Sequence, residues 1–275
     1  MKDYTITVVG CGVMGTAVTA AILKASFEPY PAKIICCTNS EASSVKLQAK
    51  LDNPIIETSY GVESNNKAVA NADVIILGCK PFLCEQIYEQ IKGSLTGEQL
   101  IISLLAGWTI EQLSIFSPHV ARVMTNTPAQ FGCGMAAVSF SPSAEAQYEE
   151  LVMKLTDPVG LAIKLPEKNM DAATSLIGSG PAFCLMFMEA LIDGGVRMGI
   201  PFAAAKEAAA KVMEGTAKMV LETGEHPAVL RSKVCTPGGT TIGGLMKMED
   251  AGIRSGIARG VEEAANIATS LGKKK

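Results

Sequence analysis

The stretch TITVVGCGVMG, Thr5 to Gly15, decides the fold. A β-favouring run, Thr5–Val9, ends at Gly10, and a helical run from Gly15 to Ala25 follows. The spacing between them is G-x-G-x-x-G, with Gly10, Gly12 and Gly15 as its glycines. At the end of a first strand and the start of a first helix, that spacing has a mechanical reading. Gly10 permits the tight turn, Gly12 lets the backbone approach a pyrophosphate, and Gly15 lets the helix pack on the sheet. The helix start then aims free N–H groups and a partial positive charge at the phosphates. Gly10, Cys11, Gly12, Val13, Met14 and Gly15 are therefore the candidate pyrophosphate cradle. The competing reading is an ordinary strand–helix turn that needs glycine.

Further strands are expected at Lys33–Thr38, Asp73–Gly78, Leu100–Leu104, Val120–Met124 and Met135–Phe140. Helical stretches at Ala42–Leu51, Gln86–Lys92, Thr109–Phe116 and Ala144–Thr156 alternate with them, which implies parallel βαβ units. The apolar run VIILG, Val74 to Gly78, implies a sheet covered on both faces. After Ala162–Leu165 the strands stop. Glu167–Gly199 is helical in character with a local irregularity at Gly178–Pro181, and Phe202–Thr223, Pro227–Val234, Gly238–Met248 and Ser255–Leu271 complete the set. The fold class is α/β followed by all-α, with domains at residues 1–165 and 166–275.

The 275 residues allow two domains or one large one. With 48% hydrophobic and 19% charged residues, the chain is neither disordered nor collagen-like. Lys plus Arg (24) against Asp plus Glu (27) offers no basic field, so nucleic acid is not an expected partner. The basic run Lys273-Lys274-Lys275 reads as a solubilising tail. Eight cysteines form no C-x-x-C pair and read as small reduced core residues in a reducing compartment. The only histidines, His119 and His226, have no cysteine pair nearby, so no metal site is expected. A first strand at Tyr4 leaves no room for a signal peptide. The apolar stretch Ala172–Met188 reads as too short, and too broken by Gly178–Pro181, to span a bilayer. A soluble, cytoplasmic protein is expected.

The end of the second strand bears on cofactor choice. A carboxylate there would bond both ribose hydroxyls of NAD. Cys37-Thr38-Asn39-Ser40 has none, and Glu41 comes late. Neutral hydrogen-bonding residues tolerate a 2′-phosphate, which favours NADPH, with NADH possible, although no arginine stands in the turn. Gly78-Cys79-Lys80-Pro81 and Leu105-Ala106-Gly107 lie at carboxyl ends of strands, where ligands bind in an open α/β sheet. In the helical part, VCTPGGTTI, Val234 to Ile242, puts threonine hydroxyls and backbone N–H groups at a helix start. That arrangement suits a small carboxylate. A threonine N-cap is the plainer alternative.

LRSKVCTPGGTTIGGL, Leu230 to Leu245, is the most specific of five motifs that occur together. The others are GCGVMG, GCKP, RVMTNTPA (Arg122–Ala129) and GSGPAF (Gly178–Phe183). With them the chain resembles the pyrroline-5-carboxylate reductase family over essentially its whole length. The resemblance implies an N-terminal Rossmann domain and a C-terminal helical substrate-binding and dimerisation domain. It implies an active site between them, completed by the partner subunit, and a homodimer or larger ring. The implied reaction is reduction of L-1-pyrroline-5-carboxylate to L-proline. By the same resemblance Thr38 lies by the adenosine ribose phosphate, Asn65 on the adenosine side, and Cys79, Lys80 and Ala106 on the nicotinamide side. Thr241 is the implied catalytic residue, bonding the ring nitrogen; Thr236, Gly239 and Thr240 hold the carboxylate.

There are departures from the family. Cys37 stands where serine or threonine is usual, Gly224 where some relatives have a glutamate, and Cys235 where relatives have a hydroxyl. A β-hydroxyacid dehydrogenase is the rival enzyme, but it needs a lysine after a Ser-Gly turn. Gly178–Met186 has no lysine. A nucleotide-sensing regulator on the same fold is the non-enzyme rival, and the intact Thr236–Thr241 loop argues against it.

Overall fold

Eight strands form one sheet in the computed structural model, which describes residues 3–273; Lys274 and Lys275 of the basic run lie outside the described residues. In chain order the sheet and its helices are β1 (Thr5–Val9), α1 (Val13–Lys24), β2 (Lys33–Thr38), α2 (Glu41–Lys50), β3 (Ile56–Tyr60), α3 (Val62–Ala70), β4 (Val74–Leu77), α4 (Cys84–Ile91), β5 (Leu100–Ser103), α5 (Ile110–Leu113), β6 (Val120–Thr125), β7 (Gly134–Phe140), α6 (Pro142–Thr156) and β8 (Gly160–Lys164). The strand order is β3-β2-β1-β4-β5-β6-β7-β8. Its first six strands are mutually parallel and follow the doubly wound order expected for a dinucleotide fold. β7 runs antiparallel to β6, and β8 parallel to β7. The connection over Thr127–Phe131 is one short 3-10 turn, and a parallel crossover needs a dozen or more residues, so the chain reverses instead.

β4 shows why the sheet is covered on both faces. Val74 and Ile76 enter one core with Ile6, Val8 and α1. Ile75 and Leu77 enter the other with Trp108, Leu113 and Phe116. The period of two sends alternate side chains to opposite faces, and all four are buried. β3 and α3 have no counterpart in the sequence reading. β3 is the edge strand, IETSY, and buries only Ile56; α3 is VESNNKAVA and buries only Ala68 and Val69. An edge position asks for little apolar surface, so the periodic signal is weak there.

The remaining helices are α7 (Met170–Ala173), α8 (Gly180–Arg197), α9 (Phe202–Thr223), α10 (Pro227–Val234), α11 (Thr240–Asp250) and α12 (Ile253–Lys273). The irregularity expected near Gly178 is a π turn over Thr174–Ser179. It does not break the helix. Pro181 lacks an N–H and crowds the carbonyl four residues back; the wider π turn just before it opens the ladder enough for α8 to continue. Glu167–Arg197 is thus one helical run of 31 residues with a window of mean hydropathy 1.6. By length and composition alone it is long enough to cross a bilayer, which corrects the reading of a stretch too short and too broken.

The chain divides into two compact units. One holds the sheet and its helices through Ser179, together with the end of α12 from Glu263; the other is Gly180–Glu262. Residues 166–179 thus pack with the sheet rather than with the later helices. Met170, Ala173 and Ile177 pack on Met124 and Ala137 of the sheet, and Arg122 on β6, which is buried, adds polar ties. Its Nη2 lies 3.1 Å from Asp171 and its Nη1 3.5 Å from Glu167. Glu167 also accepts the Ile110 N–H at 2.6 Å, and the Thr269 hydroxyl donates to Asp171 at 2.9 Å. A guanidinium taken out of water needs these partners, and removing one side of such a pair is costly. Arg122→Leu should lower unfolding stability by about 3 kcal/mol, and Thr269→Val by about 1 kcal/mol, read from urea denaturation. An Arg122 variant as stable as the wild type would show that the ion pairs do not anchor these segments.

Candidate functional site: a dinucleotide cradle and a threonine loop

The glycine turn is built by close approach of backbone. Gly10 has φ +86°, and a Cβ there would stand 2.7 Å from the Cys79 backbone. A Cβ at Gly15 would stand 3.1 Å from the Gly10 carbonyl, so α1 packs tightly on the turn. Gly12 is different, because a Cβ there would meet nothing within 4 Å. The glycine at this position keeps space open rather than fitting into it. The turn is pinned by the Cys11 N–H to the Cys37 carbonyl at 3.0 Å and the Gly12 N–H to the Gly10 carbonyl at 2.8 Å. α1 begins at Gly12 with no side-chain cap and no acidic residue in its first turn. Its N-terminal N–H groups and partial positive charge are left for an anion, and the open ground over Gly12 fits a pyrophosphate.

Two other loops at the carboxyl edge of the sheet are tied to this turn. The end of β4 carries Cys79 against Gly10, followed by Lys80, whose side chain is exposed. The loop after β5 carries Ala106, half-buried, and the indole N–H of Trp108 donates to the Pro81 carbonyl at 3.0 Å. Trp108, passed over in the sequence reading, therefore holds the Cys79–Pro81 and Ala106 loops together. A lone tryptophan just beyond a strand end was its only signal.

At the end of β2, Thr38 is buried, and its hydroxyl is shared between the carbonyls of Ser40 and Ser59 at 3.1 and 3.2 Å. The Asn65 amide donates to the Thr38 carbonyl at 3.2 Å and accepts the Ser59 hydroxyl at 2.9 Å. The structure thus brings Thr38 and Asn65 together, with Ser59 of β3 as the link that the sequence did not disclose. Asn39 and Ser40 face solvent.

Of the cysteines, Cys36, Cys37 and Cys84 are buried, Cys11, Cys79 and Cys235 half-buried, and Cys133 and Cys184 exposed. The expectation of core thiols holds for only part of the set. The hydrogen bond with Cys36 holds the Cys11 thiol below its ordinary pKa; burial opposes this, and Thr16, Thr19 and Lys50 add to the lowering. Burial pushes the Cys37 thiol up to about 12. His119 sits buried at the entrance to β6, edge-on to Tyr148, and His226 caps α10 by accepting the Ala228 N–H at 3.2 Å. Both histidines have structural roles.

The threonine loop lies in the second compact unit, between α10 and α11. The Gly239 N–H bonds the Thr236 carbonyl at 3.0 Å, with Pro237 and Gly238 between them and Gly238 at φ +66°. Proline then glycine at the central positions is the composition of a type II turn. A Cβ at Gly239 would overlap the Thr236 hydroxyl, so a side chain there would displace Thr236. α11 is capped by Gly239, and no side chain caps it. The plainer reading of the threonines as N-caps is therefore excluded. Thr240 and Thr241 are the first two helical residues, Thr240 exposed and Thr241 half-buried. Their N–H groups and the partial positive charge at the helix start are open to a carboxylate.

A glycine turn that opens a helix on a doubly wound sheet, followed by a helical unit in which α11 starts without a side-chain cap, is the build of a nicotinamide-dependent oxidoreductase. Comparisons give the family. The pyrroline-5-carboxylate reductase dimerisation family matches residues 167–271, and the family described as NADP oxidoreductase coenzyme F420-dependent matches residues 5–107. The chain is 50% identical to pyrroline-5-carboxylate reductase of Kluyveromyces lactis, covering 100% of both chains. The crystal structure of 1-pyrroline-5-carboxylate reductase from Streptococcus pyogenes is 30% identical with TM-score 0.81, over 97% of this chain and 98% of that one. The Plasmodium falciparum pyrroline carboxylate reductase with NADP bound shares the fold at TM-score 0.85 and 24% identity, over 99% of each chain. The chain belongs to the pyrroline-5-carboxylate reductase family.

Gly12 separates packing from binding. Gly12→Ala should leave the melting temperature within about 2 °C of wild type, since the added methyl meets no neighbour. Dinucleotide affinity, read by fluorescence titration, should fall at least about tenfold, the equivalent of 1.4 kcal/mol. Unchanged affinity would mean that the pyrophosphate does not pass over Gly12.

Proposed function

We propose that the chain reduces L-1-pyrroline-5-carboxylate to L-proline with NADPH, the last step of proline biosynthesis, as a cytoplasmic homodimer. The Thr236–Thr241 loop carries this reading, because its hydroxyls and N–H groups are not spent on capping α11. A cyclic imino acid offers this loop two features, a carboxylate and a basic ring nitrogen. Thr236, Gly239 and Thr240 bind the carboxylate, and the Thr241 hydroxyl orients the ring through its nitrogen. The imine arrives protonated, so a site of hydroxyls and amides suffices without a strong acid. The turn Gly10–Gly15 holds the pyrophosphate, Thr38 and Asn65 frame the adenosine end, and Cys79, Lys80 and Ala106 line the nicotinamide end. The cofactor, when bound, supplies hydride to the imine carbon, and the residues contribute position. Residues 1–165 serve the cofactor and 166–275 the substrate and the dimer.

NADPH oxidation with pyrroline-5-carboxylate, set against several keto and hydroxy acids, tests the reading. Turnover is expected with the cyclic imine and not with the acids; the reverse pattern would refute it. Thr241→Ala should lose about tenfold to a hundredfold in kcat/KM, equivalent to 1–3 kcal/mol, with NADPH affinity unchanged and Thr241→Ser restoring most of the rate. Equal loss of NADPH binding would assign Thr241 to packing instead.

The dimerisation match at 167–271 supports self-association. So does the apolar balance of the second unit. Among its apolar side chains Gly180–Glu262 buries only Ile192, Ala205, Ala209 and Leu230, while Leu185, Met198, Phe202 and Leu221 are all more than 60% exposed. Apolar surface on this scale marks an interaction site, and a partner chain gives the apolar α8 a cover other than lipid. Eight thiols free of disulfides support a reducing, cytoplasmic setting. In sedimentation at micromolar concentration a dimer or a ring of dimers is expected, and a fully active monomer would remove the claim.

A further inference from the structure

An NADPH-dependent reading leaves one charge unanswered. A 2′-phosphate carries about −1.5 to −2 at neutral pH, yet the turn Thr38-Asn39-Ser40 contains no cation. A cleft of about 500 Å³ begins at Gly12 and Val13, passes Thr38, and runs between α1 and α2. Its α2 wall is formed by Ser43, Lys46, Leu47 and Lys50; Ser43, Lys46 and Lys50 are spaced by three and four residues and stand on one helical face. No carboxylate lines the cleft. Some lysines elsewhere are paired, as Lys33 is with Glu57 at 2.7 Å and Lys67 with Glu63 at 2.8 Å. Lys46 and Lys50 form no ion pair among the described residues. A third lysine, Lys24, lines the cleft from the last turn of α1, with its Nζ 3.5 Å from the Gln130 carbonyl. The field of Lys50 is felt at the Cys11 thiol, which lies within the glycine turn itself.

We propose that Lys46 and Lys50 are the specificity-determining residues for the 2′-phosphate, supplying from α2 the charge that the β2 turn lacks. The inference rests on the reading of the chain as an NADPH-dependent reductase. A lysine ammonium is a compact point charge on a flexible stem, so from the wall of the shared cleft it acts on an anion there without a fixed geometry. The Ser43 hydroxyl stands on the same wall and offers the phosphate a hydrogen bond.

The test compares wild type, Lys46→Gln, Lys50→Gln, the double variant, and Lys24→Gln as reference. kcat/KM is measured for NADPH and for NADH with pyrroline-5-carboxylate, and binding of 2′,5′-ADP and 5′-AMP is measured without turnover. For the double variant, kcat/KM with NADPH should fall about tenfold to a hundredfold, the range of hydrogen bonds to a charged group. The loss should appear in KM, NADH should be unaffected, 2′,5′-ADP binding should weaken in proportion, and 5′-AMP binding should not change. Lys46→Arg should retain NADPH use. A double variant that keeps the wild-type NADPH to NADH ratio overturns the proposal, and so does an equal loss in Lys24→Gln, which would indicate a general field. Wild type that turns over the imine equally well with NADH would instead overturn the NADPH reading beneath it. Circular dichroism melting of each variant distinguishes these results from misfolding.

Discussion

The carboxyl edge of the sheet depends on one backbone approach, that of Gly10 to the end of β4. A Cβ at Gly10 would reach the Cys79 backbone, and a Cβ at Gly78 would stand 2.8 Å from the Gly10 carbonyl. Neither strand end could come so near with any other residue. The two strands, β1 and β4, are the pair at which the strand order reverses, the place where open α/β sheets form their binding crevice. Trp108 extends the same arrangement to the loop after β5 by its bond to Pro81. The crevice is therefore shaped by main chain, and only its outer margins are left to side-chain chemistry.

The two compact units solve the same electrostatic problem in the same way. α1 starts at Gly12 and α11 at Gly239, and neither helix has a side-chain cap. An uncapped start is a cost in an isolated helix, because its first N–H groups lack partners. It becomes an asset where an anion is to be held. One start suits the diphosphate of a dinucleotide and the other the carboxylate of a small acid. The neighbours of the two starts differ: the hydroxyls of Thr240 and Thr241 stand at one, and the lysine-lined wall of α2 shares a cleft with the other.

Much of this was legible from the amino-acid order because the signals are local. The glycine turn and the Thr236–Thr241 loop each lie within a few consecutive residues, and backbone demands account for glycine at Gly10 and Gly238. The buried strands β4 and β5 announce themselves by the apolar runs VIIL and LII, and β1 by its β-branched TITVV. β3 and α3 do not, because a sheet edge rewards little hydrophobic burial. Gly178–Pro181 resembles a breaker in one dimension, but a π turn absorbs the proline in three. Other features required the fold: Ser59 linking Thr38 to Asn65, Trp108 bonding Pro81, and Lys46 and Lys50 brought to the same cleft as Gly12.

The bond from Thr269 to Asp171 spans 98 positions of sequence. It ties together two separate stretches of one compact unit, Asp171 before the inserted helices and Thr269 after them. Gly180–Glu262 is inserted between the partners, so the N-terminal unit is synthesised almost whole and then waits for its final tie. Until α12 emerges, Asp171 has Arg122 as its partner but not Thr269. Closing so long a loop is entropically expensive and comes after the local contacts. Completion of the first unit thus depends on synthesis through α12, and a chain that stops anywhere in the inserted helices leaves that unit without its Thr269 tie.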